Sequence, residues 1–323
     1  MHFDYYIPTR IIFGRDRLEC LGSIKLPGQK ALIIITNGRS MRNLGYLDRV
    51  VNLLAGQGVE SEVFDKVIPN PVEHHVMEAA EQARNHNCDF IIGLGGGSAI
   101  DTAKAVAVMV KNPGTFWDYV KQRQQLTQEV LPVIAIPTTA GTGTEADPWT
   151  VITNAETNEK IGFGINETFP KIAIVDPSLM TSVPARLTAY QGMDAFFHAA
   201  EGYLACVAQP ISDMLALQTI KIISQYLPQA VSDGGDLQAR EQMAWASTAA
   251  GMVESTSCCI SQHSMEHALS AFYPDLPHGA GLVALSVPYF SYLLKKEPEK
   301  VNVRYIEMGR AMGEELSLIH ISE

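Results

Sequence analysis

The second half of the chain carries five side chains whose types and spacing suit a divalent metal ion. In "GMDAFFHAAEGY", Asp194 and His198 stand four residues apart, hence one turn apart on one helix face. A solvated Asp–His pair keeps polar neighbours, whereas Met193, Ala195, Phe196, Phe197 and Ala199 flank this one, so the pair reads as enclosed. In "QHSMEHALSAF", His263 and His267 repeat the spacing, and "DLPHG" brings His278 from a loop set by Pro274, Pro277 and Gly279. Imidazoles with one carboxylate form an N3O donor set suited to Fe(II) or Zn(II), where Mg(II) or Ca(II) would require oxygen ligands throughout. Five candidates compete for four places, and spacing leaves the choice open. The motif is not the H-E-x-x-H of zinc peptidases, because Glu266 directly precedes the second histidine.

A second chemistry is written in the first half. "IIGLGGGSAIDTAK" ends an apolar strand at Leu94, continues with Gly95, Gly96 and Gly97, and opens a helix at Ser98. Glycines let the backbone approach a pyrophosphate, and the helix start offers unpaired N–H groups and a positive dipole end. The turn falls short of G-x-G-x-x-G, and Ser98 with Asp101 also matches an S-x-x-D capping box, which needs no ligand. "IPTTAGTGTEAD" follows another buried strand with Thr138, Thr139, Thr142 and Thr144, whose hydroxyls suit a ribose and nicotinamide, and Lys160 in the hairpin-like "VITNAETNEKIGFG" supplies a cation. After the first strand stand Asn37, Gly38, Arg39 and Ser40 without the acid that would hold a ribose 2′-OH and repel a 2′-phosphate. That stretch favours NADP(H) and leaves NAD(H) open.

These residues need elements to position them. Between residues 31 and 180, "ALIIIT", "SEVF", "DFIIGLGGG", "PVIAIPTTAG" and "KIAIVD" alternate with helical stretches such as "EHHVMEAAEQARNHN", which predicts βαβ units and a mostly parallel sheet. The strand signal then stops, and "MTSVPARLTAYQG" opens a helical second domain, so the expected division is 1–182 and 183–323. A net charge of −11 without a basic cluster argues against nucleic acid, and no apolar run is long enough to span a membrane. Five scattered cysteines read as reduced thiols of a cytoplasmic protein, Cys258 and Cys259 as small buried thiols in a helix.

"GGGSAIDTAK", "PTTAGTGTE", "GMDAFFHAAEGY" and H-x-x-x-H followed by "PHG" together resemble the iron-containing (group III) alcohol dehydrogenases, over about residues 5–290. The resemblance implies a Rossmann-like α/β domain and an all-α metal domain in a dehydroquinate-synthase-like architecture, with the active site in the cleft between them. It implies reversible hydride transfer between a small alcohol or aldehyde and NAD(H) or NADP(H), in a homodimer. Asp194, His198, His263 and His278 become the metal ligands, and His267 is left near the nicotinamide as a proton relay. Asn70 of "PNP" joins the two turns as a cofactor contact.

Two departures stand out. "FYPDLPHG" is one residue longer than the common family form, and "EELSLIHISE" does not resemble the family's helical C-terminus. An incomplete helical domain with a foreign tail after about residue 312 is therefore expected, and His320 is given no role. The rival readings are a glycerol-dehydrogenase-like or dehydroquinate-synthase-like enzyme, a metal-dependent hydrolase, and an inactive nucleotide-binding remnant. The lack of a Lys/Arg group near the metal motifs favours a neutral substrate over a phosphorylated one.

Overall fold

The structure, a computed structural model, describes residues 2–315, so His320 lies outside the described residues. The chain forms two compact units. One comprises Ile7–Thr139 and Thr144–Met180; the other comprises the residues before Ile7, Ala140–Gly143 and the chain from Thr181 onward.

The first unit is built on β1 (Arg10–Phe13), β2 (Lys30–Thr36), β3 (Glu60–Val67), β4 (Phe90–Gly95), β5 (Val133–Pro137) and β8 (Ile172–Val175), all parallel in the order β1-β8-β5-β4-β2-β3. β6 (Thr150–Asn154) and β7 (Glu159–Phe163) form a separate antiparallel hairpin. Helices α1 (Ser40–Asn43), α2 (Tyr46–Gly56), α3 (Glu73–Asn85), α4 (Gly97–Lys111) and α5 (Phe116–Val120) complete the unit.

Runs such as "ALIII" form central strands because side chains alternate between two buried faces. Leu32 and Ile34 join one apolar cluster with Ile91 and Val133, while Ile33 and Ile35 join another with Ile92 and Ile134. The strand order reverses between β2 and β4, so their carboxyl ends flank the crevice where open α/β sheets bind ligands. Asn37–Ser40 and Gly95–Ser98 stand at those two ends.

The second unit is helical: α6 (Ala185–Leu204), α7 (Pro210–Ser232), α8 (Leu237–Ser257), α9 (Ser261–Phe272), α10 (His278–Lys296) and α11 (Pro298–Ala311). Buried alanines on α6 and α8, among them Ala195, Ala199, Ala246 and Ala250, pack with Ile220, Ile223 and Leu227 of α7. Among the described residues, no helix is long and apolar enough to cross a membrane.

Three local expectations are corrected. His278 does not come from a loop: Pro277 caps α10 with φ −62°, and His278 is its first residue. Ser98 and Asp101 form no capping box, since α4 already begins at Gly97 and the Asp101 carboxylate accepts instead from Thr144 Oγ1 (2.6 Å) and Val151 N–H (2.9 Å). Cys258 and Cys259 are not helical, because α8 stops at Ser257 and Cys258 turns with φ 61°.

Candidate metal centre and nucleotide turns

Asp194 and His198 lie on the buried face of α6, His263 in the first turn of α9, and His278 at the start of α10. Gly279 brings α10 against α6 so closely that a Cβ there would overlap the Tyr190 carbonyl oxygen. The result is convergence on one carboxylate atom. Asp194 Oδ1 lies 3.4 Å from His278 Nε2, 3.5 Å from His263 Nε2 and 3.7 Å from His198 Nδ1.

Tetrahedral donors at bonds of about 2.1 Å stand about 3.4 Å apart, so Asp194, His263 and His278 have the spacing of ligands around one ion. Asp194 Oδ1, His263 Nε2 and His198 Nδ1 are buried without a hydrogen-bond partner, a costly arrangement for polar atoms unless something binds there. The donor set fits Fe(II) or Zn(II).

Two carboxylates that the sequence reading did not assign hold the imidazoles. Glu201 of α6 contacts His263 Nδ1, and Glu266 of α9 contacts His278 Nδ1; both glutamates are fully buried. A carboxylate only accepts, so each Nδ1 carries the proton, and in the metal-bound state each ring would turn its Nε2 lone pair toward the ion. Glu201 also accepts the N–H groups of Ile260 (2.9 Å), Gln262 (3.1 Å) and His263 (3.2 Å), which caps α9 and fixes where His263 emerges. A signal for Glu201 was present: it follows Asp194 by seven residues on the same helix face.

His198 stands differently. Its ring stacks on His263 with centroids 4.3 Å apart, and its Nε2 lies 3.4 Å from Glu254 Oε2. Burial, with the neighbouring imidazoles, pushes its pKa down to about 4 against the pull of Asp194, so it is neutral. Burial opposes charge on Asp194 as well, but the surrounding histidines, with hydrogen bonds from His263 and His278, hold its carboxyl well below the usual range. His267 is half-buried, its ring centroid 5.5 Å from that of His278 and 6.4 Å from that of His263.

In the α/β unit the predicted cofactor residues fall into connected groups. Gly95 takes φ 150°, and Thr138 N–H donates to its carbonyl (2.8 Å) while the Thr139 side chain sits over Gly96, so the turns after β4 and β5 are joined. Lys160 Nζ donates to Asn70 Oδ1 (3.0 Å) across ninety residues of chain. Asn37, Gly38, Arg39 and Ser40 are exposed beyond β2. Thr142 falls in the other unit, in the segment Ala140–Gly143, where Gly143 packs against Gly251 of α8.

Thr144 serves the fold: with Asp147 and the Trp149 carbonyl it receives the fully buried Lys104 ammonium, at 2.6–3.0 Å. This network ties α4 to the segment after β5. Sequence reading passed over Lys104, one turn beyond Asp101 in the same motif.

Comparison with known proteins agrees with this architecture. The iron-containing alcohol dehydrogenase model matches residues 8–177, and the model of that family's C-terminal domain matches residues 188–320. Both domains are covered, and the C-terminal match runs to residue 320, so the expected foreign tail after about residue 312 is not borne out. A 1,3-propanediol dehydrogenase of Klebsiella pneumoniae is 36% identical over 98% of this chain and 80% of its own length. An NADPH-dependent butanol dehydrogenase of Clostridium saccharobutylicum is 34% identical over 96% of this chain and 78% of its own. An archaeal halo-thermophilic alcohol dehydrogenase from a Red Sea brine pool superposes with a TM-score of 0.95 at 36% identity, covering 100% of this chain and 83% of that one. The chain belongs to the iron-containing alcohol dehydrogenase family, metal-dependent oxidoreductases that work with NAD(H) or NADP(H).

Proposed function

We propose that this enzyme oxidises small neutral alcohols and reduces the matching aldehydes, with iron held by Asp194, His198, His263 and His278. The observation that carries the reading is the convergence of His263 Nε2 and His278 Nε2 at 3.4–3.5 Å from Asp194 Oδ1. When bound, the ion supplies Lewis acidity toward the alcohol or carbonyl oxygen, and the nicotinamide accepts or gives the hydride. Glu201 and Glu266 keep two imidazoles in the ligating tautomer. Glu201, Glu254 and Glu266 surround the cluster with negative charge, which disfavours a phosphorylated substrate and so the dehydroquinate-synthase-like alternative.

His267, half-buried beside His278, moves the hydroxyl proton toward solvent as a general acid–base. Backbone N–H groups at Gly96, Gly97 and Ser98 bind the pyrophosphate beside Gly95, Thr138 and Thr139 pack along the nucleotide, and Lys160 and Asn70 act as one polar pair on it. Asn37, Gly38, Arg39 and Ser40 admit a 2′-phosphate, as the NADPH-dependent relative does, without excluding NAD(H). We take the enzyme to work as a cytoplasmic homodimer without nucleic-acid or membrane partners; its five cysteines are all free, which suits a reducing compartment.

The test is an assay of the anaerobically iron-loaded protein on straight-chain C2 to C6 alcohols and aldehydes with both nicotinamides. Turnover that chelation abolishes is expected. Absence of turnover with every pair, in protein that retains iron, would overturn the proposal.

A further inference from the structure

The segment between α8 and α9 adds a donor that the reading above does not use. After α8 stops, the Cys258 N–H closes on the Glu254 carbonyl (2.8 Å), and the residue turns with φ 61°. Cys258 is exposed, whereas Cys259, the next residue, is partly buried. One ring nitrogen of His198, one of His263 and the Cys259 sulfur lie within 4.8 Å of one another. The two histidines are 5% exposed, and His198 Nδ1 and His263 Nε2 have no hydrogen-bond partner. Stacking on His263 places the His198 ring beside this sulfur.

We propose that Cys259 is a sulfur ligand to a thiophilic divalent cation, Zn(II) or Co(II), bound together with His198 and His263. The proposal rests on the reading that this buried cluster holds a metal ion. Two donor sets then overlap at His198 and His263: a harder one completed by Asp194 and His278, and a softer one completed by Cys259. Thiolate draws Zn(II) and Co(II), while Mn(II) prefers the carboxylate set. On binding, the cysteine S–H bond is replaced by a metal–sulfur bond and the proton passes to the buffer, with no change of oxidation state. The identity of the ion thus decides which side of the pocket it occupies.

Metal-free full-length protein loaded with one equivalent of Co(II) tests this by its near-ultraviolet spectrum. The expected result is a thiolate-to-cobalt charge-transfer band in the wild type and in Cys258→Ser that disappears in Cys259→Ser. Zn(II) affinity in Cys259→Ser should fall by about 10-fold or more, with Mn(II) affinity unchanged. Co(II) bound without a sulfur band, or a band that survives Cys259→Ser, would overturn the proposal and leave the metal centre itself standing. Failure of the wild type to bind Co(II), Zn(II) or Mn(II) would overturn both. If Cys259→Ser is unstable, Cys259→Ala read in the same way keeps the assignment testable, and a wild-type spectrum without the band overturns it on its own.

Discussion

Replacing Glu201 with glutamine exchanges one oxygen of a side chain that carries four contacts, and the structure shows where the cost falls. Oε2 accepts from Ile260 and Gln262 N–H groups, and Oε1 from His263 N–H and its ring Nδ1. A glutamine that keeps its oxygen at the Oε2 position leaves one buried N–H without an acceptor, about 1–3 kcal/mol, whereas the flipped amide leaves two. The first orientation therefore wins. Its NH2 then faces His263 Nδ1, which must become an acceptor, and the ring proton moves to Nε2, where the ion needs a lone pair. Loss of such an orienting partner weakens metal binding by roughly 10–100-fold, about 1.4–2.8 kcal/mol. Denaturant unfolding of the metal-free protein reads the first number, and Fe(II) titration against a competing chelator reads the second. Glu266→Gln should reproduce the affinity loss through His278, since Glu266 contacts that ring's Nδ1. Wild-type Fe(II) affinity in Glu201→Gln would refute the tautomer argument.

Three further perturbations probe other parts of the account. Gly279→Ala drives a methyl into the Tyr190 carbonyl, so α10 should retreat at a cost of about 1–3 kcal/mol and carry His278 away from Asp194; unchanged thermal unfolding and metal binding would contradict that. Burial resists charging His263, yet Cys259, Asp194 and Glu201 hold its pKa well above the usual imidazole value of 6.5. The metal-free ring is therefore protonated above that pH, so metal uptake should release a proton to a pH indicator, and affinity should rise with pH until the ring is neutral. In the metal-free protein the same shift contributes stability that is complete below pH 6.5 and is lost as pH climbs through the raised pKa. Asn37→Asp places an acid beyond β2, and the ratio of kcat/KM for NADPH to that for NADH should fall about 10-fold or more; an unchanged ratio would move the 2′-phosphate elsewhere.

Much of this arrangement was legible in the sequence because helix geometry is local. Asp194 with His198 and His263 with His267 announce their shared faces by four-residue spacing, and the apolar neighbours of Asp194 announce its burial. The strands that carry the glycine and threonine turns were visible as β-branched runs. β1, only four residues long at the sheet edge, was not. What escaped depends on tertiary approach. Glu201 and Glu266 matter because α9 and α10 end against them, and Asp101 abandons a capping box that local pattern favours because Thr144 and Val151 reach it. The turn at Cys258 likewise interrupts what composition presents as one helix, and it sets Cys259 beside the histidines.

The division of labour between His267 and the four proposed ligands is tested most directly by iron content measured beside turnover in two variants. His267→Ala should keep one iron per chain while kcat falls, and His278→Ala should lose the iron. An empty site in His267→Ala, or a full one in His278→Ala, would contradict the assignment of ligand and proton carrier.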